Sequence, residues 1–475
     1  MNNFEKIEEL YQEKHFFFQL LEHDIQKDFQ IPQTISKDAI KRFLIDAVDI
    51  SNSQNEYRGR GKGVTKFILW IGYLFFIAIF GKTNKKIDCD ILFEEWNGIG
   101  MHYNRFYYSL HQKLLAYKSM ILLTNIDKEL YDAPMPVIYR ESKIKCDQKI
   151  AKKIIYTSFP KILKYFFISK KQKFNFLLLY LKLIRSIAIF ETHSQGVTSE
   201  ILISANDNGY SALRFFLYKK NGIKNILLLQ NGIRGDMTVI AGDLYIYADY
   251  YIAYGSHQLY MLKGLRAKET FAWGSLALSN NIDMMPKLEI CYDILFIEQW
   301  TSSSVPGTFD LDVYLTCVSN LIKFAQLHPE YKIVYRTRPN VDENDALLQQ
   351  TYDQLKNAGI VLENTQSKNS YEAIAKSKIV VTYNSTLGFE ALALKKHVLF
   401  CNYDHLNFLP SEKDYFGVIT DSSYHAFESK LLDLLKNYQQ GIPYAKDNRY
   451  MAMDPNMIGN IVSLVTSNIH TKVAI

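Results

Sequence analysis

Residues 380–400 read VVTYNSTLGFEALALKKHVLF. The stretch follows Lys378-Ile379 with a β-branched run, Val380-Val381. It then passes through a small-polar turn, Tyr383-Asn384-Ser385-Thr386-Leu387-Gly388. A helix-like segment, Phe389 to Lys395, leads to a second apolar run, His397 to Phe400. Strand, turn, helix and strand in this order predict a βαβ unit and hence a parallel sheet. The turn falls where a strand's carboxyl end meets a helix N-terminus, the place where open α/β sheets bind ligands. Asn384, Ser385 and Thr386 are helix-capping types, and their side chains with the first helical N–H groups suit a phosphate or sugar oxygen. Glu390, six residues on from Asn384, supplies a carboxylate able to accept hydrogen bonds from two ribose hydroxyls. By themselves the same residues also make an ordinary capped helix with a surface glutamate, so the rest of the chain has to decide.

The surroundings continue the rhythm. Strands are expected at 293–298, 332–336, 360–362, 379–382 and 398–401, with helices at roughly 310–327, 343–358, 370–375, 388–395 and 423–438. Upstream, Glu200-Ile-Leu-Ile-Ser-Ala205 reads as a strand ending in Asn206-Asp207-Asn208-Gly209. The run 225–230, NILLLQ, reads as a second strand, ending in Asn231-Gly232-Ile233-Arg234-Gly235-Asp236. Residues 276–287 are polar and irregular, as an interdomain linker would be. The segment 87–96, IDCDILFEEW, resembles 292–300, YDILFIEQW, and the two are expected to open two similar α/β domains.

Size and composition agree. The 475 residues are 48% hydrophobic and 22% charged, enough for two or three globular domains. The formal net charge is a modest +6. Five scattered cysteines without a CxxC pair argue for free thiols in a reducing compartment, and against a disulfide framework or a zinc site. The opening MNNFEKIEEL is acidic and polar, unlike a secretory signal.

Two segments stand apart from the α/β pattern. Residues 67–80, FILWIGYLFFIAIF, are fourteen uncharged residues, short of the about 20 that a membrane span needs. They suit a buried helix or a helix lying in a membrane interface. Residues 143–185 hold twelve Lys or Arg and one acid, Asp147, with interleaved aromatics. Such a stretch can grip nucleic acid, sit on an anionic membrane or form a solvated helical face. No nucleic-acid motif accompanies it and it is rich in Leu and Ile, so an anionic membrane surface is the expectation and nucleic acid is not. The expected organisation is a helical N-terminal segment (1–86), an N-terminal Rossmann-like domain (87–280) carrying the basic-aromatic insertion 143–185, a C-terminal Rossmann-like domain (288–445), and a helical tail (446–475).

Four signatures then resemble a known family. Tyr383-Asn-Ser-Thr-Leu-Gly-Phe-Glu390-Ala is similar to an NST-x-x-x-E-A nucleotide site. Tyr335-Arg336-Thr337-Arg338-Pro339 is similar to R/K-x-H-P, and Leu229-Gln230-Asn231-Gly232 to Q-H-G. Ala248-Asp249, Tyr254-Gly255 and Trp273-Gly274-Ser275 are similar to A-D…W-G…G-S-P. Together they resemble GT-B glycosyltransferases of bacterial surface-polysaccharide assembly, near the capsule and lipopolysaccharide enzymes that use CMP-Kdo. CDP-glycerol transferases and UDP-GlcNAc 2-epimerases share that architecture. The resemblance implies an α/β GT-B fold: two Rossmann-like domains facing a cleft. It implies a metal-independent enzyme with no cofactor, a nucleotide-sugar donor, and a glycan or glycolipid acceptor at the inner face of the plasma membrane. Carried onto this chain, it puts the donor phosphate at Arg336, Arg338, Asn384, Ser385 and Thr386, and the ribose at Glu390. Arg338 and Asn231 stand where the family has histidines. Arginine can hold phosphate with a permanent bidentate charge, but it cannot trade a proton at neutral pH.

A carboxylate at the sugar is expected from the N-terminal domain: Asp236 and Asp207 in loops after successive strands, or Glu95 (with Glu94) after the first. His102 and His193 are alternative bases. Two other readings share the architecture, a CDP-polyol phosphotransferase and a non-catalytic nucleotide-binding assembly subunit.

Overall fold

The computed structural model describes residues 3–44, 64–81, 83–95, 103–124, 135–140, 146–172, 174–234, 245–282, 288–300, 309–338, 344–363, 369–441 and 449–470. Two parallel sheets organise it. The first contains β1 (Ile87–Glu95), β2 (Ser119–Leu123), β3 (Val137–Tyr139), β4 (Val197–Ser204), β5 (Ile223–Leu229), β6 (Tyr247–Ala253) and β7 (Arg266–Ala272). Its order is β3-β2-β1-β4-β5-β6-β7. The second contains β8 (Tyr292–Ile297), β9 (Ile333–Arg336), β10 (Val361–Glu363), β11 (Ser377–Thr382), β12 (His397–Cys401) and β13 (Val418–Ile419), in the order β10-β9-β8-β11-β12-β13. Each sheet's first strand lies between its second and fourth. The order reverses there, and the reversal opens a crevice at the strands' carboxyl ends. The central strands carry runs of Val, Ile, Leu and Phe because helices cover both faces; Ile294, Leu295, Phe296, Val380 and Val381 are fully buried.

The resemblance between residues 87–96 and 292–300 has a structural counterpart. Asp90 of β1 accepts the backbone N–H of Lys118, just before β2, at 2.9 Å. Asp293 of β8 accepts that of Lys332, just before β9, at 2.8 Å. The same carboxylate stitches the same pair of strands together in both sheets.

Some elements differ from the expectation. The expected linker begins as a helix, Leu276–Ile282. Ser275 Oγ caps it by accepting the N–H of Leu278 at 3.2 Å, and Leu276, Ala277 and Leu278 are buried. The polar look of this segment comes from Ser279, Asn280 and Asn281, of which Asn280 bonds the Arg105 carbonyl at 2.8 Å. β2, β3 and β7 were not expected as strands. β2 and β3 are only five and three residues long, and β7 reads RAKETFA, with most of its residues outside the core.

The N-terminal helices and the basic-aromatic segment form one body. Helices Asn3–Glu13, His15–Phe29, Gln33–Phe43 and Val64–Phe80 share a core with helices Gln148–Gln172 and Phe176–Ser194. Tyr165 stacks on Tyr180 with ring centroids 4.9 Å apart. Lys161 and Lys164 turn inward onto helix His15–Phe29, where Lys164 Nζ lies 2.7 Å from Asp24 and Lys161 pairs with Asp28. Part of the basic charge is therefore neutralised internally. Among the described residues no helix is long and apolar enough to cross a membrane.

The chain then returns from the second sheet to the first. Residues 449–454 run along the ends of β6 and β7: Ala452 N donates to the Tyr254 carbonyl at 2.6 Å, and Asp454 N to that of Trp273 at 3.2 Å. Helix Met457–His470 follows, and its Asn468 accepts the Tyr250 hydroxyl at 3.0 Å. Gly255 and Gly274 make room for this strap. A Cβ on either would stand 2.2 Å from the carbonyl oxygen of Arg449 or Ala452, and Gly274 also has φ +108°.

Candidate functional site

The turn after β11 is built by its neighbours. Gln299, just past β8, accepts the Asn384 N–H at 2.6 Å and the Thr382 hydroxyl at 3.2 Å, and its amide also bonds the Asn384 side chain. Ser385 is the N-cap of helix Thr386–Ala393, its Oγ accepting the Leu387 N–H at 3.3 Å. Gly388 lets this helix press onto the sheet, since a Cβ there would lie 2.6 Å from Thr382 Cγ2 and 2.9 Å from the Phe400 ring. The helix N-terminus, with its partial positive charge, is thus held rigidly at the second sheet's switch point.

The first sheet brings its own carboxyl-end loops to this turn. Gln230 holds the loop after β5, donating to the Gly232 carbonyl at 2.8 Å and to Gln258 at 2.7 Å, while Gln258 also accepts the Arg234 N–H at 2.8 Å. The loop then crosses to the other half: Ile233 N–H donates to Thr386 Oγ1 at 3.3 Å. The residue that follows the QNG signature is thus hydrogen-bonded to the NST signature, 153 positions away in sequence.

Glu390 is the second crossing point. Its side chain is fully buried. It accepts the Ser275 hydroxyl, from the end of β7, at 2.5 Å and the Tyr371 hydroxyl at 3.2 Å. Burial raises its pKa above the ordinary 4.5, partly offset by the Arg105 charge and the Ser275 and Tyr371 hydrogen bonds. Arg105 stands on the π-helical turn Tyr103–Tyr107 that follows β1 and its loop. Burial works against its charge, but Tyr371, Glu390 and Tyr254 outweigh that and push its pKa up.

The expected residues fall into two groups. Asn384, Ser385, Thr386 and Glu390 come together at the junction. Arg338 lies at the β9 end of the same edge, where its Nη1 donates to the Trp300 carbonyl at 3.0 Å and its N–H to Glu298. Arg336 is 2% exposed beside Glu363, with Nη1 to Oε2 3.4 Å. On the N-terminal side, Asp207 is fully buried; it pairs with Arg234 Nη2 at 2.6 Å and accepts the Tyr251 hydroxyl at 2.8 Å. Glu95 is fully buried, and its Oε2 accepts the Tyr103 N–H at 2.8 Å, fixing the turn that carries Arg105. Glu94 pairs with Arg214 and accepts the hydroxyls of Ser204 and Tyr210, each at 2.8 Å. Asp236 and His102 lie outside the described residues. His193 is at the other end of the sheet, one turn before β4. Its Nδ1 is 3.2 Å from the Tyr218 hydroxyl, and burial, helped by the Arg140 charge, pushes its pKa down to about 3.

Both sheets therefore present their carboxyl-end loops to each other across one junction. This is the GT-B arrangement. Within this GT-B chain, residues 227–417 match a family model described as "putative O-antigen biosynthesis protein". Among solved structures, the chain is similar to the wall teichoic acid polymerase TagF, at 13% identity and a TM-score of 0.46 over 92% of this chain and 99% of that one. It is also similar to the UDP-GlcNAc 2-epimerase of Methanocaldococcus jannaschii, at 11% identity and a TM-score of 0.44 over 80% of this chain and 100% of that one. A search of curated proteins finds no match.

Sequence reasoning missed four residues that build the GT-B junction: Gln299, Arg105, Ser275 and Tyr371. Ser275 stood inside a quoted signature without an assigned partner. Gln299 follows the repeated strand and was open to view. Arg105 and Tyr371 carry no motif and reach Glu390 only through tertiary structure.

Proposed function

We propose that this protein is a glycosyltransferase of bacterial surface-glycan assembly. It would take a nucleotide-sugar donor, of the CMP-Kdo type or another nucleotide sugar, and act on a lipid-linked or polysaccharide acceptor at the cytoplasmic face of the membrane. The observation that carries this reading is the contact of the capped turn Asn384–Thr386 with the loop Gln230–Arg234 at the crevice between the two sheets. Donor phosphate would sit at the N-terminus of helix Thr386–Ala393, with Arg338 as a bidentate cation and Arg105 adding charge from the other half. These groups would stabilise the negative charge that grows on the leaving phosphate as the glycosidic bond breaks, without a metal ion. Glu390 would take the ribose hydroxyls once its bonds to Ser275 and Tyr371 yield, so donor entry and loosening of the junction are one event.

Acceptor activation would fall to a carboxylate of the N-terminal half. Asp236 and Asp207 come after strands of that sheet in the sequence, and Glu95 is the last residue of β1, at its carboxyl end. Arg338 offers no proton to the leaving group at neutral pH.

Thermal-shift titration with CMP, CDP, UDP and GDP tests the donor site. At least one of the four is expected to raise the melting temperature, and none doing so would sink the reading. Glu390→Ala is expected to weaken that nucleotide about tenfold, the loss of roughly one hydrogen-bonded charge. Full affinity in the variant would remove the ribose assignment.

A further inference from the structure

The body formed by the N-terminal helices and the helical pair 148–194 has an outer face that no described element covers. On helix Gln148–Gln172, Tyr156, Phe159, Leu163, Phe166 and Phe167 are all exposed, Tyr156 by 86% and Phe167 by 64%. Their spacing of three and four residues draws one stripe along the helix. Helix Val64–Phe80 lies alongside and antiparallel: Gln148 Nε2, at the start of one, donates to the Ala78 and Ile79 carbonyls, at the end of the other, at 3.3 Å each. Leu69, Phe76, Ile79 and Phe80 of this helix are exposed as well, and Phe75, also exposed, lines a small cavity together with Phe159 of its neighbour. The inner faces are filled by Leu74, Ile77, Ile150 and Ile154, so the outward aromatics are surplus to the core.

Charge frames this patch. Lys161 and Lys164 point inward to Asp24 and Asp28. Lys149 and Lys152 are exposed at one end of the longer helix, and Lys170 and Lys171 at the other. Neither helix contains an Asp or Glu. A second copy docked on the stripe would bring lysine against lysine whichever way it ran, with no acid on either helix to answer them. A bilayer with anionic headgroups answers both ends at once and takes the aromatics between them into its apolar margin.

We infer that helices Val64–Phe80 and Gln148–Gln172 form a flat, two-helix dock on an anionic membrane surface, with the Tyr156–Phe167 stripe inserted and the four terminal lysines at headgroup level. The inference deepens the proposed transferase reading by naming the surface on which a lipid-carried acceptor would be met.

Sedimentation of the full chain with vesicles tests it, using phosphatidylcholine alone and phosphatidylcholine mixed with phosphatidylglycerol. The protein is expected to pellet with the mixed vesicles and to remain largely in solution with the neutral ones. Replacing Lys149, Lys152, Lys170 and Lys171 by Gln is expected to lower partitioning onto mixed vesicles about fivefold per lysine. The triple variant Phe159→Ser, Phe166→Ser, Phe167→Ser is expected to lower it about tenfold or more, since each ring then stays in water. These side chains are exposed, so thermal melting should match the wild type, and Phe76→Ser with Phe80→Ser repeats the test on the neighbouring helix. Wild-type protein that stays in solution with mixed vesicles overturns the dock, as do variants that pellet like the wild type or a dimer that buries the stripe. A chain that binds nucleotide but no vesicle refutes this inference alone. One that binds vesicles but no nucleotide refutes the transferase reading alone.

Discussion

Glu390 is the residue on which the two halves lean, and its environment makes it pH-sensitive. Its pKa in the folded chain lies above the ordinary 4.5 because burial disfavours the charge more than Arg105, Ser275 and Tyr371 restore it. In the unfolded chain it ionises first. Stability drawn from this group is therefore lost as pH rises from 4.5 toward the folded value, and not as pH falls. Chemical denaturation at a series of pH values should show wild type losing ground to Glu390→Gln across that window; parallel curves would mean the carboxyl titrates normally. Gly388 makes a simpler prediction. Its missing Cβ leaves room for Thr382 and Phe400, and Gly388→Ala should cost about 1–3 kcal/mol of unfolding free energy. At this scale the sequence exposed the donor turn well, because Asn384, Ser385, Thr386 and Glu390 all lie on one short segment. It hid Arg105 and Tyr371, whose meaning depends on which strands end up side by side.

At the level of elements, the pairing of helix His15–Phe29 with helix Gln148–Gln172 decides what the basic segment can do. Burial tends to raise the pKa of Asp24, but hydrogen bonds from Lys164 and Tyr165, with the charge of Lys161, outweigh it and hold the carboxyl below its ordinary 3.8. The stabilisation is present above pH 3.8 and is lost as pH falls through the folded value. Asp24→Asn should cost about 3 kcal/mol at neutral pH by leaving Lys161 and Lys164 short of counter-charge. That deficit should shrink in acid, as read from denaturant midpoints at the two conditions. The parallel strands were legible here from runs such as Lys378-Ile379-Val380-Val381. The helix Leu276–Ile282 was not, because Ser279, Asn280 and Asn281 give it the look of a loop while their neighbours supply the packing. The union of the N-terminal helices with the basic pair was also out of reach, since helical periodicity shows which face is apolar and not what covers it.

For the whole molecule, the strap 449–454 and helix Met457–His470 tie the second half back to the first. Gly255 and Gly274, which in sequence belong to signatures of the N-terminal domain, are explained by this return. Gly274→Ala is expected to unseat the strap, at a cost of about 1–3 kcal/mol from overpacking and from the strained backbone together. Limited proteolysis should then cut between 449 and 470 in the variant while sparing the wild type; equal resistance would show that the glycine is dispensable. A two-domain plan could be read from the paired DILF segments, and the shared Asp90 and Asp293 stitches account for why that repeat was visible. The junction itself could not, since Ile233 to Thr386 and Ser275 to Glu390 are contacts between residues more than 100 positions apart.

The strap also has a consequence for how the chain is made. The ends of β6 and β7 leave the ribosome early, yet the backbone partners of Tyr254 and Trp273 are Ala452 and Asp454, which emerge only after the whole second sheet. The first half must wait in the cell with that edge uncovered while the second half is synthesised. A nascent chain halted before residue 449 should be a better substrate for holding chaperones than the same chain released after residue 470.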